Sequence, residues 1–134
     1  MPALPWTTGP YRPEDETTLH VLTSMLPLRR FGDIPRFLRW TGKIRKQLVT
    51  ADGCAGYSLD ARLLRKTFCT LSAWSDAEAM NRFVRSGHHA AMLADMAGRL
   101  GEPTFVESSA ASSTLPLNWA AAKRRLADRQ AGGP

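Results

Sequence analysis

The period of apolar positions changes several times along this chain, and each change predicts an element. In residues 17–26, Leu19, Val21 and Met25 share one side of an alternation and Leu22 shares the other with His20 and Ser24. Apolar residues on both sides predict a strand covered on both faces, and Pro27 ends it. Ile34, Phe37, Leu38, Thr41, Ile44 and Leu48 then recur at helical spacing, opposite Arg36, Arg39, Lys43 and Lys46. This predicts an amphipathic helix with a basic outer stripe, capped by Asp33, with Pro35 in its first turn and Gly53 as its stop. Residues 54–74 are rich in strand formers, interrupted over 60–65, and predict a β-hairpin. A turn centred near Ala61-Arg62 would set Cys54 opposite Cys69.

Ser75-Asp76-Ala77-Glu78 has the form of a capping box, and Met80, Phe83 and Val84 mark the helix face that follows. Ser86-Gly87 interrupts. A second helical run starts at His88 and carries His89, Met92, Leu93, Met96 and Leu100 on one stripe. Gly101 and Pro103 end it, and residues 104–109 predict a last short strand. Residues 108–114 are small and polar, a loop or linker. Residues 119–130 predict a short helix with Trp119, Ala122 and Leu126 on one side. The organisation expected is an N-terminal arm over 1–16, where four prolines oppose helix and ladder, a domain over 17–112, and a C-terminal helix and tail over 113–134.

The order strand, helix, strand, strand, helix, strand is the split βαβ pattern. It predicts an α+β, ferredoxin-like fold: a four-stranded antiparallel sheet with both helices on one face and an extra C-terminal helix. The other sheet face then needs a cover, and a second copy of the chain is the expected one. Composition sets outer bounds. The chain has 134 residues, 43% of them hydrophobic and 22% charged, which excludes default disorder. Two cysteines cannot make a disulfide scaffold, no apolar run is long enough to span a membrane, and the first residues lack a signal layout. The expected setting is the cytoplasm, with free buried thiols. The formal charge of +6 gathers on the first helix and on Lys123-Arg124-Arg125. Neither cluster comes with stacking aromatics on an exposed face or a reading helix, so a nucleic-acid partner is not expected.

Thr70-Leu71-Ser72-Ala73-Trp74-Ser75-Asp76, followed by Phe83-Val84-Arg85-Ser86-Gly87 and His89, resembles the antibiotic biosynthesis monooxygenase-like proteins of the dimeric α+β barrel superfamily, most of all small actinobacterial members of unknown function. The resemblance covers residues 17–109. It implies a homodimer and a pocket between sheet and helices, walled by Trp74. It also implies oxygenation, or a related rearrangement, of a small aromatic or polyketide-like molecule, using dioxygen and no cofactor. Cofactor-free oxygenases of that group carry an asparagine four residues before the tryptophan and a tyrosine six after; here those places hold Thr70 and Met80. Haem-degrading relatives place a histidine ten residues after it; here that place is Val84, beside His88 and His89. The superfamily also holds proteins with no known activity, so a non-catalytic dimeric binding or scaffold module, or a haem-binding relative, stands as the alternative.

The residues themselves rank as follows. His89 lies on the apolar stripe and is the candidate base, with Trp74 as the other catalytic candidate. His20, Thr70, Phe83, His88 and Met92 are the candidate substrate-pocket residues; alternation alone leaves open whether His20 faces the helices or a partner. His20, His88 and His89 lack zinc spacing, so no metal site is expected. Asp60, Glu78 and Glu107 show no spacing of an acid/base pair. Trp40 lies off the first helix's apolar stripe and is expected near Trp119 or the arm.

Overall fold

A computed structural model of the chain describes residues 4–132. Its elements are β1 (Thr7–Thr8), β2 (Thr18–Pro27), α1 (Ile34–Val49), β3 (Cys54–Arg62), β4 (Thr67–Trp74), α2 (Ala77–Val84), α3 (Gly87–Asp95), β5 (Thr104–Ala111) and α4 (Trp119–Ala131). The strands form one antiparallel sheet in the order β1-β3-β4-β2-β5. The α+β, ferredoxin-like architecture is present, with one strand more than expected. The extra strand is in the arm: Thr7 and Thr8, between the prolines, pair with Tyr57 and Gly56. Trp6 lies over Gly56, where a Cβ would run into the indole.

The register sorts β2 cleanly. Its even positions face α1, α2 and α3; its odd positions face the other way. On the helix side, Leu48, Tyr57, Trp74, Met80 and Phe83 pack together with Leu22, and Phe37, Phe68, Met92 and Met96 pack with Leu26. On the other side, Leu19, Val21, Leu71 and Ala73 are buried under the arm and the C-terminal segment: Trp6, Tyr11, Leu115, Leu117, Trp119, Ala122. Val106 and Cys69 lie against Leu126 of α4. The chain therefore covers its own second face. The sequence expects a second copy as the cover of an open sheet face, and here the arm, the 115–117 segment and α4 lie on that face.

Several local expectations are corrected. Asp76, not Ser75, caps α2, its carboxylate accepting the Ala79 N–H at 2.8 Å. Asp33 stands at the α1 N-cap without a capping bond; its carboxylate instead takes Arg99 at 2.9 Å. The hairpin turns later than expected, through a tight helical turn at Leu63–Arg65 and Lys66 in the left-handed region (φ 54°). Cys69 thus faces Asp60 and Cys54 faces Trp74, so the two thiols are not opposite. Burial pushes the Cys54 thiol up to about 11, and raises that of Cys69. β5 extends to Ala111, through half of the expected loop.

Trp40 packs on the helix side, against the Phe37–Phe68 cluster, and not with Trp119. Its indole N–H donates to Asp95 of α3 at 2.7 Å, and Arg36 clamps the same carboxylate with two bonds of 2.7 Å. These donors hold the Asp95 carboxyl well below the usual aspartate range. One member of the basic stripe therefore ties α1 to α3. No helix among the described residues is long and apolar enough to cross a membrane.

Candidate functional site

Three of the sequence candidates form a row on the helix side of the sheet. Trp74 ends β4, where alternation points its ring at the helices, and it is 1% exposed. Its indole N–H donates to Ser72 Oγ at 2.9 Å, which satisfies the buried donor. The Phe83 ring from α2 lies 5.2 Å from it, and the His89 ring from α3 stands edge-on to Phe83 at 5.3 Å.

His89 is held from both sides. Its Nδ1 is 3.2 Å from Val84 O, and its backbone N–H donates to Gln47 Oε1 of α1 at 3.1 Å. Ser86 makes no side-chain cap to α3, so Gln47 supplies that bond from another helix. Burial lowers the His89 pKa, with the Val84 carbonyl opposing, so the ring is neutral at pH 7.

His20 settles on the helix side. It is the cross-strand partner of Trp74 on β4 and of Ser109 on β5. Its Nε2 lies 2.7 Å from Glu107 Oε1. Glu107 is the functional candidate that sequence spacing missed, because the pair is 87 residues apart and meets only through the β2–β5 register. Phe105 sits two residues before it on the same face, 47% exposed. The outer strand thus presents Glu107 to His20 and, two residues before it and opposite Ser24, an exposed aromatic ring.

The other candidates lie apart. Thr70 is four residues back along β4 from Trp74, where its hydroxyl bonds that of Ser24. Met92 belongs to the second helix-side cluster with Phe37 and Phe68, not to the Trp74 row. His88 is exposed on the outside of α3. Met80, in the place of the family's tyrosine, is buried in the core. Haem does not fit at His89. His89 is packed against Phe83, Phe83 against Trp74, and a flat macrocycle would have to part that row. Among the described residues, no group of three or more His, Cys, Asp or Glu is placed to hold a metal ion.

No protein-family model and no curated protein matches this sequence. Solved structures do match the fold. An antibiotic biosynthesis monooxygenase superposes with a TM-score of 0.61 at 14% identity, over 68% of this chain and 97% of its own. A provisionally named antibiotic biosynthesis monooxygenase from Nitrosomonas europaea gives 0.63 at 12%, over 75% and 94%. A conserved protein from Methanosarcina mazei Go1 gives 0.58 at 15%, over 67% and 91%. This chain has their fold. At such identities the likeness carries the architecture and no residue's role, and a quarter to a third of this chain lies outside each match.

Proposed function

We propose that this chain is a monooxygenase-like enzyme of the cytoplasm that acts on a small aromatic or polyketide-like phenol on the helix side of its sheet. The observation that supports this best is the His20–Glu107 pair, 2.7 Å apart and next to the buried Trp74 across β2–β4. A carboxylate that accepts the imidazole Nε2–H fixes the tautomer and leaves Nδ1 to accept a proton. A phenol or enol held at this pair would give up its proton to Nδ1, and the resulting anion is rich enough in electrons to react with dioxygen directly. At an activated methylene the balance is one oxygen atom into a new carbonyl and the other, with the two displaced hydrogens, into water. Trp74, Phe83 and neutral His89 form the rigid floor behind that position.

The test is turnover of an anthrone- or naphthol-like substrate with oxygen uptake. His20→Asn and Glu107→Gln are expected to reduce kcat by about 100-fold and 10-fold, the range of a general base and its orienting partner. Unchanged turnover in both would exclude this site. A second reading, a non-catalytic binding module, is favoured by one observation: Thr70 and Met80 stand where the resemblance places an amide and a phenol, and both are engaged inside the fold. Saturable binding of the same compounds without oxygen uptake would select it.

A further inference from the structure

A groove of about 360 Å³ opens on the opposite face of the sheet, between β5 and the start of α4. Val21, Ala110, Leu117 and Ala121 give it apolar walls; Ser108 and Arg125 supply polar groups. The Arg125 Nε is buried and has no hydrogen-bond partner among the described residues, and no described carboxylate lies within ion-pair distance of this guanidinium. The neighbouring cation is differently placed, because Lys123 is paired with Asp60 at 2.6 Å. A buried N–H left unpaired is a standing cost that an acceptor in the groove would relieve, and the side chain as a whole is half-buried.

We propose that this groove binds a small monocarboxylate with an apolar body, its carboxylate on Arg125 and its chain along Val21, Ala110 and Leu117. One guanidinium matches one carboxylate in charge and in geometry, since its N–H groups form a planar fork. The volume lies at the lower end of that of small-molecule sites. The first turn of α4 adds the positive end of its dipole. The site is separate from the His20–Glu107 pair, which lies on the other face, and either assignment can fail without the other.

The test is an NMR titration of the full chain with hexanoate, followed at the amides of Ser108, Ala110, Leu117 and Ala121. The expected result is saturable shifts confined to that groove, no such shifts with 1-hexanol, and affinity at least ten-fold weaker in Arg125→Gln. The wild-type map stands even if that variant folds poorly. Unsaturable or scattered shifts would overturn the proposal. So would hexanol binding as well as hexanoate, displacement by equimolar inorganic phosphate, or an unchanged affinity in a folded Arg125→Gln.

Discussion

The two faces of this sheet are covered by different means. The helix side carries α1, α2 and α3, with large apolar contacts: Phe37 on Phe68 at 4.5 Å, Phe83 on Trp74 at 5.2 Å. The other side carries one 13-residue helix whose buried residues are Ala122 and Leu126. That is a small apolar footprint, and apolar burial is non-directional. Directional contacts supplement it. The Trp119 indole N–H donates to Ser58 Oγ at 2.9 Å, and Ser58 donates in turn to Leu4 O at 2.8 Å, tying α4 and the arm to β3. Lys123 reaches Asp60, a carboxylate 1% exposed, at 2.6 Å. The helix side is held by three helices with large aromatic contacts; the other side is held by one helix, the arm and the 115–117 segment, joined by aimed polar contacts.

The largest test of that contrast is to stop the chain after Thr114. Truncating Leu126 alone to alanine is expected to cost about 2–5 kcal/mol. Losing all of α4 then removes much of the roughly 5–15 kcal/mol a domain has in total. It also bares Leu19, Val21, Leu71 and Val106. The expected outcome is loss of a cooperative melt, or self-association through the bared face, read by calorimetry and by light scattering. A monomer with an unchanged melting temperature would show that α4 is an ornament.

The next test removes one polar contact. Asp60→Asn leaves Lys123 unpaired and should cost about 1–3 kcal/mol, less than a fully buried pair because the Lys123 side chain is 38% exposed. Adding Lys123→Met keeps the stem's packing and removes the stranded charge, so the double variant should recover at least half of that loss. Denaturant midpoints decide it. An Asp60→Asn midpoint equal to the wild type would mean the contact holds nothing.

The contrast also explains what could be read from the sequence. Helical spacing in Ile34, Phe37, Ile44 and Leu48 and the stripe of Met92 and Met96 are local signals, so the helices and their inner faces were legible, as was the order of elements along the chain from β2 onward. So was the coverage of β2 on both faces. What covers the second face was not, because Trp119, Ala122 and Leu126 name a helix face and not its partner. Glu107 was invisible for the same reason, its partner being set by strand register. The hairpin turn was misplaced because Lys66 takes a left-handed conformation that glycine or asparagine would have announced. Of the candidate residues, Trp74, Phe83 and His89 do meet, since each was marked by position on a face. Met92 shares His89's stripe but lies further along it, in the other cluster.

The smallest effect expected lies in pH, and it separates contacts on the helix side alone. His89 is neutral in the fold, with a pKa below its ordinary 6.5. The unfolded chain takes up that proton first as pH falls, so stability is lost below about pH 6.5 and the loss stops once the folded ring also protonates. Asp95 behaves likewise lower down. Its folded pKa is depressed by Arg36 and Trp40, so its contribution is complete above the ordinary 3.8 and fades as pH falls below it. His89→Gln should flatten the stability profile between pH 6.5 and 5 and leave the acid limb. Asp95→Asn should do the reverse, flattening below pH 4 while it lowers stability at neutral pH by loosening α1 from α3. Chemical denaturation at a series of pH values reads both. If His89→Gln leaves the slope between pH 6.5 and 5 unchanged, the ring is solvated in the fold, and the packed floor assigned to Trp74, Phe83 and His89 is wrong.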